Sequence, residues 1–375
     1  MPKFTYLISV AAAGTAFIAL TPAAAKPGDK IAGSYICVFK PGVANARAEA
    51  SRAASQAGGS LHYIYEHSIR GFSAAMSAQG AQQAQSHNAN IAYCEQDQEV
   101  DAIQTRGPFD FRELGKPGPS QPAQTTPWGV TRVKGGAGTG SGSGTAWVID
   151  TGIDLTHPDL NVDVGRSRNF STGSSPADGN GHGSHVAGII GARDNSIGVI
   201  GVSPGATLVA VRVLNNAGSG TTSGVIAGVD YVAGAGHSGD VANMSLGGGP
   251  SQALDDAVVA AAATGVKFTL AAGNESDDAN NHSPARANGP NVYTVSAFAQ
   301  GDNWASFSNF GNPPVDYGEP GVSIKSTYKG GGYATLSGTS MAAPHLAGIL
   351  LTATPKSGGT VKGDPDGNPD TIGTK

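Results

Sequence analysis

Between residues 30 and 100, stretches in which apolar and polar positions alternate are separated by two helical ones. Residues 34–40 read as a strand and 43–57 as an alanine-rich helix. Residues 61–67 and 71–76 read as two strands about a turn, 79–87 as a short helix and 91–96 as a last strand. The order is β-α-β-β-α-β, the split βαβ pattern of a small α+β, ferredoxin-like unit. Beyond residue 145 the pattern changes. Residues 146–149, 208–213, 241–245, 266–271 and 292–296 are predominantly apolar runs and read as buried parallel strands. Helical patterns near 182–192, 221–235 and 251–263 lie between them, and 338–351 is a further helix closed by Thr354-Pro355. Alternation of this kind predicts an α/β unit, a doubly wound, mostly parallel sheet with helices on both faces.

The segments between and around these units have their own character. Pro108, Pro117, Pro119, Pro122 and Pro127 make 106–127 an exposed linker, and 135–144 is a second flexible stretch of Gly and Ser. Residues 356–375, rich in Gly, Asp, Pro and Thr, read as a surface tail. At the other end, Lys3, an apolar run over 7–20 and Ala23-Ala24-Ala25 form the three parts of a secretory signal peptide, which predicts export to the periplasm or the medium. The division that follows is 1–25, 26–105, 106–122, 123–355 and 356–375.

Composition narrows the function classes. Glycine makes up 56 of 375 residues and charged residues 14%, against the usual ~7% and ~25%. With no G-x-y period and 39% hydrophobic residues, the chain is neither collagenous nor disordered. The net charge is −5 with no basic block, so a nucleic-acid partner has no electrostatic footprint. The only cysteines are Cys37 and Cys94, which leaves no thiol nucleophile or cysteine metal site after residue 94. If the first and last strands of the small unit are neighbours, these two thiols face each other. In an oxidising compartment they either join or stay as two buried thiols.

Three segments carry the chemistry. Val148-Ile149-Asp150-Thr151-Gly152 is a strand ending in an acid, Gly179-Asn180-Gly181-His182-Gly183-Ser184-His185 is a histidine opening a helix, and Gly338-Thr339-Ser340-Met341-Ala342 is a serine at a helix start. A serine hydroxyl needs a base within reach, and the base needs a carboxylate to fix its tautomer. Asp150, His182 and Ser340 supply those groups at strand ends and helix starts, where open α/β sheets build sites. Ser340 also has the free amides and positive dipole end of its helix nearby. A fourth segment, Ala271-Ala272-Gly273-Asn274-Glu275, places an amide donor after a strand. Read singly, Asp150 is an Asx-turn residue, His182 a helix cap and Ser340 an N-cap. No second Asp-Thr-Gly or Asp-Ser-Gly supports an aspartic protease, no H-E-x-x-H accompanies His182 and His185, and the serine is not in a G-x-S-x-G elbow.

Together and in this order, the four segments resemble the subtilisin-like serine proteases, in particular the subtilisin and proteinase K branches, from about residue 124 to 351. The resemblance implies Ser340 as nucleophile, His182 as general base and then acid, Asp150 as its orienter, and Asn274 with the Ser340 amide as oxyanion hole. Ser184 stands where the family usually has Thr. Ser245, Leu246 and Gly247 resemble the family's substrate-binding segment, with Gly218, Ser219 and Gly220 opposite, so that an extended peptide is bound by strand addition. Ala271, Ala272 and Gly273 then wall a primary pocket for medium or large apolar side chains. Residues 193–199 with Asp159 and Gln124 resemble the family's calcium loop. The implied ligands are the Gln124 and Asn195 side-chain oxygens, the Asp159 carboxylate and the carbonyls of Arg193, Ile197 and Val199, a set suited to calcium. Pro290, Val292 and Asp316 resemble a second calcium site.

Residues 26–105 resemble the family's propeptide, a folding aid and intramolecular inhibitor that autoprocessing removes by a cut between Val100 and Ala123. The expectation is therefore a secreted, monomeric serine endopeptidase of broad specificity, acting on peptides and proteins without nucleic-acid or membrane partners. The competing classes are a non-catalytic peptide binder on the same groove, and an N-terminal unit acting in trans as an inhibitor or chaperone.

Overall fold

A computed structural model describes residues 26–103, 121–138 and 144–375. The signal-peptide expectation, most of the linker and the centre of the Gly/Ser stretch lie outside the described residues. The N-terminal unit runs β1 (Lys30–Phe39), α1 (Ala46–Gln56), β2 (Ser60–Tyr65), β3 (Gly71–Ala75), α2 (Ala78–His87) and β4 (Ile91–Ala102). Its strands lie in the order β4-β1-β3-β2, all antiparallel. Both helices start on side-chain caps, Asn45 accepting from Ala48 N and Ser77 from Gly80 N. They lay alanines on one face of the sheet, where Cys37, Phe39, Phe72, Ala50, Ala53 and Ile91 form the core. β1 and β4 pair Cys37 with Cys94, and the two sulfurs are joined in a disulfide. β4 extends beyond the expected end at 96 as far as Ala102, for a reason that belongs to the site.

The second unit contains α3 (Trp128–Arg132), β5 (Ala146–Asp150), β6 (Arg168–Asn169), α4 (His182–Gly191), β7 (Leu208–Arg212), β8 (Ser219–Thr221) and α5 (Thr222–Ala235). It continues through β9 (Val241–Met244), β10 (Leu246–Gly248), α6 (Gln252–Ala262), β11 (Lys267–Ala271), β12 (Val292–Ala299), β13 (Asn303–Trp304) and β14 (Val315–Pro320). It ends with β15 (Ile324–Tyr328), β16 (Gly332–Leu336), α7 (Thr339–Thr352), β17 (Lys356–Thr360) and β18 (Thr371–Thr374). The main sheet has the order β17-β18-β14-β12-β11-β9-β5-β7-β6 and is parallel from β18 to β6.

Successive strand side chains serve opposite cores. Ala146 and Val148 join α4 and α7 on one face. Trp147 and Ile149 join α5 and α6 on the other. The N-terminal unit covers that second face, adding Ile36, Val38 and Tyr65 to its core. Burying side chains of this size contributes about 1.5–3 kcal/mol each. Carboxylates of the N-terminal unit complete the contact. Asp97 accepts from Ser223 N at 3.0 Å and Ser223 Oγ at 2.6 Å at the start of α5. Glu95 accepts from Gln252 N at 3.2 Å and Ala253 N at 3.4 Å at the start of α6. Both anions sit at the positive ends of helices, where they satisfy free amides. In return Asp230 of α5 accepts the amides of Glu66, His67 and Ser68.

The surface-tail reading of 356–375 is corrected. β17 and β18 form a hairpin, and β18 pairs in parallel with β14 at the sheet edge. Ile372 and Val361 are buried against Phe298. The glycines and prolines belong to the connecting turns, while burial of two apolar residues anchors the strands. Among the described residues no helix is long and apolar enough to cross a membrane.

The Cys37–Cys94 bond closes a loop of 57 residues in sequence, which restricts the unfolded chain by an amount worth about 4 kcal/mol in the chain-entropy model. Thiol titration of the denatured chain is expected to find no free thiol before reduction and two after it. Cys37→Ala/Cys94→Ala should lower the melting temperature of the full chain, and an unchanged value would remove the bond from the stability of this unit.

Candidate active site

The site begins at the carboxyl end of β5. Asp150 is the last residue of that strand and fully buried. Its Oδ1 accepts the Thr151 amide at 2.6 Å. His182 is the first residue of α4, and its Nδ1 lies 2.8 Å and 3.0 Å from the two Asp150 oxygens. Since a carboxylate only accepts, Nδ1 carries the proton and Nε2 is the basic nitrogen. Burial alone would lower the His182 pKa, but the Asp150 charge and hydrogen bond outweigh it, with a smaller contribution from Asp178, so it is raised.

The start of α4 has no cap from its own N-cap residue. Gly181 occupies that position with φ +113°, and a Cβ there would meet the Tyr328 ring at 2.2 Å, so only glycine fits. Three other residues satisfy the free amides. Asn180 Oδ1 takes His182 N at 3.2 Å, Thr151 Oγ1 takes Gly183 N at 2.9 Å, and Asp178 Oδ2 takes Ser184 N at 2.9 Å. His185, the other histidine of this segment, turns Nε2 to the carbonyls of Ile324 and Ala334. Burial holds its pKa down to about 3, so it is a neutral, packed residue.

Ser340 enters from the second residue of α7 and is fully buried beneath the N-terminal unit. Pro344, four residues on, has no N–H to give the Ser340 carbonyl. Ser245 Oγ supplies that bond instead at 2.9 Å, itself held by Asn243 Nδ2 at 2.9 Å. Asn274 follows β11, and its Oδ1 accepts from Thr339 N at 2.9 Å and Thr339 Oγ1 at 3.0 Å. That fixes the amide so that Nδ2 faces the site. Thr339, Thr151 and Asp178 are therefore functional neighbours that motif reading passed over. Their only signal in the sequence is their closeness to Ser340, Asp150 and His182.

β4 explains its own length here. Val100, Asp101 and Ala102 pair antiparallel with Gly248, Gly247 and Leu246 on one side. On the other, Glu99, Val100 and Asp101 pair with Thr221, Gly220 and Ser219. Ala102 N donates to Gly218 O at 2.8 Å and Ile103 N to Ser245 O at 3.3 Å. Residues 218–220 and 245–247, the two segments that the resemblance implies for substrate, thus flank a strand of this same chain as two rails. A Cβ at Gly247 would stand 3.1 Å from Ile103 Cδ1, a tight contact with the end of that side chain.

The strand ends at the chemistry. The Ile103 carbonyl oxygen accepts from Ser340 Oγ at 2.7 Å and from Asn274 Nδ2 at 3.4 Å. His182 Nε2 is buried and has no hydrogen-bond partner among the described residues. Ile103 borders a cavity of about 810 Å³ with Ala271, Ala272 and Gly273 along it and Glu275 and His282 also in its lining. The pocket accordingly has polar side chains that an apolar reading of its walls omits.

The residues implied for calcium also converge. Asn195 Nδ2 reaches Asp159 Oδ1 at 2.8 Å, and Asn195 N reaches Gln124 Oε1 at 2.9 Å. Arg193, Ile197 and Val199 lie on the same loop, the Val199 amide bonding Asp159 Oδ2 at 3.1 Å. Burial raises the Asp159 pKa. Asp316, of the second implied set, accepts from Thr294 N at 2.9 Å, and burial pushes it up to about 6. Pro290 and Val292 lie at the start of β12, beside Asp316 on β14.

The chain is similar to known proteins. The M-protease of Shouchella clausii (strain KSM-K16) is 47% identical over 243 residues, covering 63% of this chain and 61% of that protein. The alkaline serine protease ver112 of Corniculantispora psalliotae is 35% identical over 370 residues, 94% of this chain and 87% of that one. A solved cold-adapted subtilisin-like serine proteinase shares 46% identity at a TM-score of 0.52, over 59% of this chain and 82% of its own. The profile described as Subtilase family matches residues 146–358, the stretch that holds Asp150, His182, Asn274 and Ser340, and the chain belongs to that family.

Proposed function

We propose that this chain is the precursor of an exported serine endopeptidase, with residues 26–103 as its inhibitory propeptide. One observation carries the reading. The Ile103 carbonyl is held by Ser340 and Asn274 at the end of a strand bound as a substrate would be. In the proposed reaction, Ser340 Oγ adds to that carbonyl carbon and His182 Nε2 takes the hydroxyl proton. Asp150 keeps the imidazole in its Nδ1–H form and stabilises the cation. The oxyanion is met by Asn274 Nδ2 and the amide of Ser340 at the start of α7. His182 then returns its proton to the leaving nitrogen, the acyl-enzyme forms, and water releases it by the same steps in reverse.

In this reading the maturation cut follows Ile103, within the interval expected between Val100 and Ala123. The strand also suggests a side-chain preference. Val100 is buried among Leu214, Leu246 and Met244, so an apolar residue three positions before the cleaved residue is favoured. Main-chain pairing along both rails supports broad action on unfolded or loop segments.

Calcium fits the Asp159 loop by donor chemistry. Asp159 is buried with no cationic partner among the described residues, beside two side-chain amides. No three His, Cys, Asp or Glu cluster among the described residues. An ion there would rest on one carboxylate and neutral oxygens from Gln124, Asn195, Arg193, Ile197 and Val199. Its role would be to clamp the loop to residues 122–125, which pair with it at Ala123–Ile197 and Thr125–Val199.

Three measurements test these proposals. The wild-type chain is expected to react with a fluorophosphonate at Ser340 and to yield a mature form beginning at Gln104, whereas Ser340→Ala stays full length. Processing of Ser340→Ala in isolation at the wild-type rate would end the proposal. Asn274→Ala in the mature enzyme should lower kcat by about 10²–10³, the range known for this donor in subtilisin itself, with KM little changed. Thr339→Val should fall between the wild type and Asn274→Ala, because it removes one of the two donors that hold the Asn274 amide and leaves the Thr339 N–H in place. A chelator should lower the melting temperature of the wild type and leave that of Asp159→Asn unaltered; equal response in both would exclude the site.

A further inference from the structure

The loop before His182 holds a carboxylate that the triad does not use. Asp178 Oδ1 accepts from Thr151 Oγ1 at 2.9 Å, Asn180 N at 2.9 Å and Gly181 N at 2.8 Å. Its Oδ2 accepts from Ser184 N at 2.9 Å and Ser184 Oγ at 2.6 Å. All these partners donate, and among the described residues Asp178 has no salt-bridge partner. The residues it grips stand on both sides of the base. Thr151 is the residue whose amide holds Asp150, and its hydroxyl also takes the Gly183 amide at 2.9 Å. Asn180, Gly181 and Ser184 bracket His182 itself.

We infer that Asp178 is a positioning residue for the His182 base: it ties the first turn of α4 to the end of β5 and sets a second negative charge near the imidazole. The inference rests on the triad reading above. The tie is mechanical. With glycine at the N-cap, no side chain of the N-cap residue holds the first turn of α4, and a rotation there would carry the imidazole off the Asp150 oxygens. Asp178 blocks it by holding the turn at Asn180, Gly181 and Ser184 while gripping Thr151 of the neighbouring segment. The charge acts on protonation. A carboxylate near the ring favours the imidazolium, in line with the direction of the Asp178 effect on His182.

The other charged or titratable groups around this loop act elsewhere. Arg212 of β7 donates to the Ser175 and Ala177 carbonyls. Lys329 donates to the Gly179 carbonyl. Asp154 bonds Gly331 N and, through its own amide, Ser184 Oγ. His185 faces backbone carbonyls. None of them grips both Thr151 and the start of α4. Ser184 supplies the hydroxyl that Asp178 uses.

The base works in its neutral form, so kcat/KM rises with pH through the His182 pKa. Removing a negative charge lowers that pKa and moves the acid limb to lower pH. In the mature enzyme, Asp178→Asn is expected to lower kcat/KM about tenfold and to shift the acid limb down by about half a unit to one unit. Ser184→Ala, which removes one donor and leaves the charge, is expected to lower kcat/KM by less and leave the limb in place. An Asp178→Asn enzyme with the wild-type limb overturns the inference whatever its rate, since loss of packing alone would not move the limb. A Ser184→Ala limb displaced as far as that of Asp178→Asn overturns it as well. If Asp178→Asn does not fold, Asp178→Glu keeps the charge and displaces the grip by one methylene. It should hold the wild-type limb with kcat/KM at least about threefold lower, and a wild-type kcat/KM would overturn the inference. Fluorophosphonate labelling separates the two readings. A wild-type chain that resists the reagent brings down the triad and this inference together, whereas a wild-type chain that labels beside an unmoved Asp178→Asn limb overturns this inference alone.

Discussion

A carboxylate and an imidazole, both removed from water, meet at the junction of β5 and α4, and the surrounding structure is arranged to make that contact possible. Neither side chain is exposed. A buried carboxylate left unpaired would cost several kcal/mol, so Asp150 needs its donors held in place. Thr151 N and His182 Nδ1 provide them. Those donors in turn depend on a helix start whose free amides are capped from three different residues, because the N-cap itself must be glycine to pass the Tyr328 ring. The parallel sheet contributes by ending β5, β9 and β11 along one edge, which brings Asp150, Ser245 and Asn274 to the same side of the molecule.

The N-terminal unit is bound by the same forces that build the catalytic one. It extends the apolar core over α5 and α6, caps both helices with Asp97 and Glu95, and finishes as a strand between two strand edges. β8 and β10 are three residues each, too short to stabilise each other, and β4 supplies the pairing that their backbone groups would otherwise find in water. An extended peptide can offer the same hydrogen bonds, so in the proposed function inhibition and substrate binding share one geometry. What distinguishes the covalently attached strand is the additional burial behind it.

Much of this was legible along the chain. The strands ending at Asp150 and Ala271 and the helices opening at His182 and Ser340 show in continuous apolar runs, because a strand covered on both faces leaves no polar positions to confuse the pattern. Asp150, His182, Ser340 and Asn274 stand in segments whose residues are distinctive together. Thr151, Asp178 and Thr339 were not legible as functional, since a polar residue in a loop reads as an ordinary turn until its partner is known. β14, β18 and the hairpin of β15 and β16 were missed for a related reason. Their apolar residues are interrupted by glycine, serine, threonine and charge, and only a neighbour makes such a segment a strand.

The amino-acid order by itself determined which segments are strands and helices, which side of each is apolar, and which residue types wait at their ends, because those properties depend on neighbours a few positions away. Tertiary structure decided the rest: that Cys37 faces Cys94, that residues 97–102 join a sheet with residues more than a hundred positions distant, that 356–374 is an edge hairpin, and that the Ile103 carbonyl lies against Ser340 and Asn274. The physical reason is the range of the interactions. Periodicity and capping are local, whereas strand pairing, burial and the meeting of an acid with a base arise only when distant segments exclude the same water.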